Sequence, residues 1–161
     1  MRTAEITRYT SETKIHLVLN VDGTGQHQIA TKVGFLDHML ELFTRHGRFD
    51  LELTCDGDIE VDSHHTVEDV AICLGRAFSE SLADRKGIYR YGQMDLPMDE
   101  ALVICAIDIS GRGMAVVNLE IPSEKIGSQF DTELVEEFFI AFARELGASI
   151  HFHQIAGKNS H

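Results

Sequence analysis

The sequence has no tryptophan, only two prolines and only three cysteines in 161 residues. The cysteines, Cys55, Cys73 and Cys105, are odd in number and widely spaced, so we expect no disulfide framework and favour a reducing, cytoplasmic location. No apolar run approaches the roughly 20 residues that a membrane span requires, and the N-terminus lacks the apolar core of a signal peptide. These absences argue against small disulfide-rich secreted domains and against membrane proteins.

Positive charge is also scarce. The chain has 14 Lys and Arg against 26 Asp and Glu, a formal net charge of −12. Sequence-independent nucleic-acid binding needs clustered basic residues, so we expect no nucleic-acid partner. The chain is 43% apolar and 25% charged, as in ordinary globular proteins, and is long enough to bury one self-supporting core. Histidine is unusually frequent: four of the nine lie between residues 38 and 65.

The first 87 residues have the pattern of strands followed by helices. Alternating or β-branched apolar residues predict strands over 2–9, 13–20, 27–33 and 49–55, with helices over about 35–46 and from Ser63 to Gly87. Ser63 is a typical N-cap, and Arg85 and Lys86 are predicted in the last turn of the second helix. Asp22-Gly23-Thr24-Gly25 predicts a hairpin between the second and third strands.

Residues 88–161 repeat this order. Strands are predicted near 90–95, 101–109, 113–121 and 149–155, with a helix over 132–146. Ser160-His161 repeats Ser63-His64, so a further amphipathic helix is expected after His161. Two β-rich halves with helices on one face predict a two-layer α+β duplication, with halves 1–87 and 88–161 forming one compact unit.

The sharpest local motif is Asp62-Ser63-His64-His65-Thr66-Val67-Glu68-Asp69, at the start of a predicted helix. Residues three or four apart share a helix face, so Glu68 can reach the same ion as His64 or His65, whereas the two adjacent histidines diverge. This pattern favours ligands shared between two ions. Imidazole with carboxylate suits Mn, Fe, Co, Ni or Zn better than Mg or Ca. The alternative is an exposed polar helix start without a ligand.

Other residues strengthen the metal hypothesis. His38 lies on the first helix, His46 lies two turns later, and His161 has the repeat-equivalent place of His64. Arg90 and Arg112 are in glycine-containing, turn-like contexts, where a guanidinium suits phosphate oxygens; exposed surface arginines are the alternative. No phosphate-binding glycine motif supports nucleotide binding.

Seven segments, in order and spacing, resemble the imidazoleglycerol-phosphate dehydratase family. The resemblance covers nearly the whole chain. The segments are Phe35-Leu-Asp-His38-Met, Asp62 to Asp69, Arg90-Tyr-Gly, Pro97-Met-Asp-Glu100, Asp108-Ile-Ser-Gly-Arg112, Phe130-Asp-Thr-Glu-Leu-Val-Glu-Glu-Phe-Phe139 and Gly157-Lys-Asn-Ser-His161.

The resemblance implies a fold and a reaction. The fold is a pair of left-handed βαβ halves, similar to domain 2 of ribosomal protein S5. The reaction is Mn-dependent elimination of water from imidazole glycerol phosphate to give imidazole acetol phosphate, the sixth step of histidine biosynthesis. The family implies two Mn²⁺ ions per active site, held between subunits of a 24-subunit shell built from trimers.

The resemblance also implies residue roles. The expected metal ligands are His38, His64, His65, Glu68, Glu137 and His161, with Glu137 at a position where many members have histidine. The expected catalytic carboxylates are Glu12 and Glu68, Glu12 being the acid/base that moves protons. The expected substrate-binding residues are Glu12, His38, His46, His64, His65, Glu68, Arg90, Arg112 and Glu137, with the arginines at the phosphate.

The chain departs from the family pattern after His161. It has neither the second His and Glu of the C-terminal metal motif nor the lysine-bearing helix and Ser-Ser-Lys-Gly tail. A protein that ends there is expected to assemble poorly and to have little activity. Two other functions stay open: a binuclear metallohydrolase, which releases phosphate or a cleaved ester, and a non-catalytic metal-binding module.

Overall fold

The computed structural model describes all 161 residues, in ten strands and three helices, and confirms the predicted α+β class. The strands are β1 (Thr3–Tyr9), β2 (Thr13–Asn20), β3 (His27–Ala30), β4 (Asp50–Gly57), β5 (Tyr91–Met98), β6 (Ala101–Asp108), β7 (Met114–Asn118), β8 (Lys125–Ile126), β9 (Phe130–Asp131) and β10 (Ser149–Ala156). The helices are α1 (Gly34–Gly47), α2 (His64–Leu82) and α3 (Leu134–Leu146).

The two large sheets have one topology. The strand order is β1-β2-β4-β3 in the first sheet and β5-β6-β10-β7 in the second. In each, the first three strands of that order are antiparallel, and the fourth is parallel to its neighbour. The same order and strand directions therefore occur twice along the chain.

The core lies between the first sheet and the helices. Alternate residues of β2 and β4 face inward, among them Ile15, Leu17 and Leu53, which are almost completely buried. Helix α2 lies against β1, β2 and α3. At Gly75 a Cβ atom would lie 2.7 Å from the carbonyl oxygen of Phe142, so the absent side chain allows α2 and α3 to approach closely.

The second sheet is covered less completely. Helix α3 lies on β7 and β10, while β5 is exposed along its whole length. Met94, Leu96 and Met98 share one side of β5 and are 62%, 64% and 55% exposed. None of the three helices combines the length and the hydropathy of a membrane-spanning segment.

The predicted hairpin after β2 is wrong. Strand β3 lies parallel to β4 at the sheet edge and does not pair with β2. The turn is held by the Asp50 carboxylate, which accepts hydrogen bonds from the backbone N–H groups of Thr24, Gly25 and Gln26 at 2.8, 3.1 and 3.0 Å. These hydrogen bonds lower the pKa of Asp50. The Gly-rich segment does turn the chain, but its hydrogen bonds to Asp50 place β3 on the far side of β4 and not beside β2.

The C-terminal end of α2 differs from the prediction, whereas its start at Ser63 is confirmed. The helix ends at Leu82 and not at Gly87, because Ala83 and Arg85 adopt positive φ angles of 46° and 59°. The guanidinium of Arg85 donates a 2.8 Å hydrogen bond to the carbonyl oxygen of Leu146. At the other end Ser63 has the predicted N-cap position, but its backbone is already near-helical (φ −92°, ψ 0°) and its side chain makes no cap hydrogen bond; its hydroxyl donates to the carbonyl oxygen of Gln129.

The segment before α3 differs from the prediction. Strand β7 ends at Asn118, three residues before the predicted end, and α3 begins at Leu134. Between them β8 and β9 form a short antiparallel hairpin that the sequence pattern did not predict. The Ser63 hydrogen bond to Gln129 joins this hairpin to the start of α2.

Candidate active site

The first turn of α2 presents two histidines to two different carboxylates. His64 Nε2 lies 3.8 Å from Glu68 Oε2, one helical turn away. The rings of His64 and His65 have centroids 6.3 Å apart and are inclined by 73°. His65 Nδ1 instead meets Asp58 in the loop before the helix. The adjacent histidines therefore diverge, as helical geometry predicts.

Asp58 fixes the orientation of His65. Its two carboxylate oxygens lie 3.1 and 3.0 Å from His65 Nδ1, so Nδ1–H donates to the carboxylate. This hydrogen bond raises the pKa of His65. In the neutral ring the hydrogen on Nδ1 leaves the lone pair on Nε2 free to bind a metal ion. Asp58 is a site residue that the sequence analysis missed, since nothing in the pattern links it to a histidine seven residues later.

A second pair of histidines lies at the start of α1. The rings of His38 and His161 are stacked with centroids 6.1 Å apart, and the Phe35 ring meets His161 edge-on at 5.6 Å. His161 also lines a cavity of about 330 Å³ between the start of α1 and the β8–β9 loop. The fold thus brings two histidines together that are distant in sequence.

Glu137 and His46 stand apart from these pairs. Glu137 is half-buried on α3, and His46 is exposed in the last turn of α1; neither side chain hydrogen-bonds another candidate residue. Burial raises the pKa of the Cys55 and Cys73 thiols to about 11 and about 12, so both are protonated at neutral pH in the metal-free chain. No three His, Cys, Asp or Glu side chains of the chain come together as a metal site.

The two predicted arginines meet at Asp108. Arg90 binds this carboxylate through Nε at 2.6 Å and Nη2 at 3.1 Å, and Arg112 Nη2 lies 3.9 Å from Oδ2. Hydrogen bonding to Arg90 lowers the pKa of Asp108. The sequence analysis did not assign Asp108 a role, although its spacing of four residues from Arg112 was visible in the motif.

Glu12 lies on the turn between β1 and β2, with an exposed side chain. Its N–H donates to Thr10 Oγ1 at 3.1 Å, and its carbonyl oxygen accepts a 3.1 Å hydrogen bond from the N–H of Asp58. The turn that carries Glu12 therefore lies against the loop that orients His65.

Known proteins similar to this chain are dehydratases, which are hydro-lyases: they eliminate water by breaking a carbon–oxygen bond. The family model for imidazoleglycerol-phosphate dehydratase matches residues 31–161. The chain belongs to the imidazoleglycerol-phosphate dehydratase family.

Individual relatives match over almost the whole chain. The imidazoleglycerol-phosphate dehydratase of Trichlorobacter lovleyi is 54% identical over 160 residues, 99% of this chain and 82% of the relative. That of Jannaschia sp. is 53% identical over 161 residues, 100% of this chain and 82% of the relative. The relatives are thus somewhat longer than the 161 residues described.

Solved structures of the family have the same fold. The crystal structure of the dehydratase from Staphylococcus aureus superposes with a TM-score of 0.87 at 38% identity, covering 98% of this chain and 86% of that one. The enzyme from Pyrococcus furiosus gives a TM-score of 0.83 at 35% identity, covering 96% and 82%.

Proposed function

We propose that this chain catalyses the elimination of water from imidazole glycerol phosphate, giving imidazole acetol phosphate in cytoplasmic histidine biosynthesis. The observation that carries the proposal is the 53% identity to the Jannaschia dehydratase over all 161 residues, a span that contains every candidate site residue. The grouping of side chains supports it: imidazole and carboxylate pairs at the helix starts, and two arginines converging on one anionic group.

The proposed cofactor is Mn²⁺, with two ions per active site. The donor set fits this metal, because imidazoles and carboxylates suit first-row divalent ions and His64 with Glu68 already forms such a pair at 3.8 Å. His65, oriented by Asp58, and the stacked His38 and His161 offer further imidazoles, and Glu137 a further carboxylate. When bound, the ions act as Lewis acids and as templates for the substrate.

The proposed assembly is a homo-oligomer, a 24-subunit shell built from trimers, with active sites between subunits. One chain supplies donors in pairs and never three at one place. An ion held by one such pair has open coordination positions, which water, the substrate or residues of a second copy of the chain can fill. These open positions are compatible with sites shared between copies.

The chain's own residues have separate tasks in this reaction. Arg90 and Arg112 bind the phosphate, exchanging the Asp108 carboxylate for phosphate oxygens. The carbon–hydrogen bond beside an imidazole ring is only weakly acidic, so a positioned carboxylate is needed to accept and return the proton. Glu12 is suited to this task because its side chain is free while its main chain is fixed on both sides. Glu68 is the second catalytic carboxylate, beside His64.

The test is turnover with and without metal. Purified protein reconstituted with Mn²⁺ is incubated with imidazole glycerol phosphate, and the ketone product is followed by NMR, with a chelator-treated sample as control. We expect metal-dependent ketone formation without release of phosphate. Phosphate release would indicate a metallohydrolase, and Mn²⁺ uptake without turnover a metal-binding module. Light scattering after Mn²⁺ addition tests the assembly, for which a large oligomer is expected.

The role of Glu12 is tested by Glu12→Gln. We expect an unchanged Mn²⁺ content and a kcat lower by about 100-fold or more, the contribution typical of a general acid–base group. Glu5→Gln is the control, because Glu5 is an exposed carboxylate of the preceding strand that pairs with His16. An unchanged kcat in Glu12→Gln would remove this residue from proton transfer.

A further inference from the structure

A series of hydrogen bonds between buried and half-buried polar groups connects α2 with the turn that carries Glu12. It begins at Asp69, the residue after Glu68, whose side chain is only 9% exposed. Asp69 Oδ1 accepts a 2.9 Å hydrogen bond from Arg8, and Oδ2 accepts a 2.5 Å hydrogen bond from the hydroxyl of Thr13. A buried carboxylate is costly unless it is paired and hydrogen-bonded, and here each oxygen has a partner.

The hydrogen bonds between Glu12 and Asp69 all point the same way, with each acceptor on the side of Asp69. A carboxylate only accepts, so the Thr13 hydroxyl gives its one hydrogen to Asp69. Thr10 is then the donor to Thr13 Oγ1 at 3.2 Å, and its hydrogen also has the Thr13 carbonyl oxygen as a more distant acceptor at 3.5 Å. Thr10 Oγ1 in turn accepts from the N–H groups of Glu12 at 3.1 Å and Thr13 at 2.9 Å. One carboxylate thus orders two hydroxyls and two backbone amides.

The opposite side of the turn is also fixed. The carbonyl oxygen of Glu12 accepts from the N–H of Asp58, whose carboxylate orients His65. Glu12 is therefore held at both its N–H and its carbonyl group, although its side chain is exposed. Since Asp69 belongs to the helix that carries His64, His65 and Glu68, the same helix sets the position of those groups and of the Glu12 turn.

We propose that Asp69 is a positioning residue, which acts through Thr13 and Thr10 to fix the position of Glu12 relative to the functional groups of α2. The inference rests on the proposed role of Glu12 in proton transfer. A displacement of about 1 Å in a reacting group costs about 100-fold in rate, so a fixed turn matters for turnover. If these hydrogen bonds served folding alone, their loss would lower stability and leave the kcat of the folded enzyme unchanged.

The test uses matched variants of the reconstituted holoenzyme. Thr13→Val removes the hydroxyl at constant shape, and Thr13→Ser keeps the hydroxyl and removes the methyl group. We expect Thr13→Val to lower kcat by about 10- to 100-fold with KM and Mn²⁺ affinity unchanged, and Thr13→Ser to restore kcat. Thr10→Val, at a half-buried site that tolerates change better, is expected to act in the same direction. Equal kcat values in all variants would overturn the proposal.

Two further measurements separate positioning from stability and from the proposed function. In a Glu12→Gln background, Thr13→Val is expected to cause little additional loss of kcat, because the group that it positions is already gone. Losses that multiply would overturn the proposal. Amide hydrogen exchange of Glu12 and Thr13 in the metal-free protein is expected to accelerate in Thr13→Val; unchanged exchange would also overturn it. A wild-type enzyme without dehydratase turnover overturns the proposed function alone, and the exchange measurement still decides whether the hydrogen bond from Thr13 to Asp69 orders the turn.

Discussion

Arg90 holds both oxygens of Asp108, with Nε 2.6 Å from Oδ1 and Nη2 3.1 Å from Oδ2. Arg112 approaches the same carboxylate at 3.9 Å. A planar guanidinium binds carboxylate and phosphate through similar paired hydrogen bonds. The two arginines at Asp108 are therefore arranged so that they can also bind a phosphate group. The free protein thus holds an anionic side chain where the proposed substrate presents its own anion.

Replacing Arg90 by lysine is expected to raise KM more than it lowers kcat. Arg90→Lys keeps the positive charge and loses the paired hydrogen bonds, so we expect KM for the phosphorylated substrate to rise by about tenfold or more. Steady-state kinetics measures the change. Arg2→Lys is the control, because Arg2 forms a similar exposed pair with Asp22 at the other end of the chain. Equal KM values in the two variants would contradict the assignment.

Asp58→Asn is expected to weaken metal binding. An asparagine amide lacks the charge that favours hydrogen on His65 Nδ1 and can itself donate to Nδ1, which stabilises the wrong tautomer for an Nε2 ligand. Loss of such a carboxylate partner typically lowers metal affinity by about 10- to 100-fold. Isothermal titration of metal-free protein with Mn²⁺ measures it. The control is Asp56→Asn, two residues before Asp58, which removes an exposed ion pair with Lys32 and should leave the Mn²⁺ affinity unchanged.

Gly75→Ala is expected to destabilise the fold. The added Cβ would lie 2.7 Å from the Phe142 carbonyl oxygen and 2.8 Å from Glu145 Cβ, so α2 and α3 must separate. Overpacking of this kind costs about 1–3 kcal/mol, more than alanine gains over glycine as a helix former. Urea denaturation measures the free energy of unfolding. In the control Gly34→Ala the new Cβ meets no atom within 4 Å, and stability should be unchanged or higher.

Stability is expected to fall in alkali because of the buried thiols. Burial raises the pKa of Cys73 from 9.0 to about 12 and that of Cys55 from 9.0 to about 11. Above pH 9 the unfolded chain loses these protons while the folded chain keeps them. Stability from the thiols is therefore complete below pH 9 and declines as pH rises toward 11 and 12. Denaturation midpoints of wild type and Cys73→Ser measure it; equal declines in both would refute this account.

The elements with a one-sided apolar pattern were predictable. The predicted bounds of α1 and α3 differ from the observed ones by one or two residues, because an apolar stripe along each helix and the glycines at their ends, Gly47 and Gly147, are local signals. The partner of β3 and the end of α2 were not predictable. The first depends on Asp50, which lies 24 to 26 residues from the turn it holds, and the second on the Arg85 hydrogen bond to Leu146.

The candidate site divides in the same way. His64 with Glu68 followed from helical spacing, since both lie on one element. The approach of His161 to His38 followed only in part, from the repeat. The roles of Asp58, Thr13 and Asp69 were not predictable, because each side chain hydrogen-bonds a residue of another element: Asp58 and Thr13 meet α2, and Asp69 meets β2.

The exposed apolar side of β5, formed by Met94, Leu96 and Met98, favours contact between copies of the chain, and the net negative charge opposes it. Strand β5 is at the edge of its sheet, with unpaired backbone groups beside flexible apolar side chains. Mutual repulsion from a net charge of −12 opposes contact between two such edges. Ionic strength sets the range of this repulsion, about 30 Å in 0.01 M salt and about 8 Å in 0.15 M salt. Dilute buffer therefore opposes contact between β5 edges that no neighbouring copy covers, and added salt weakens this opposition.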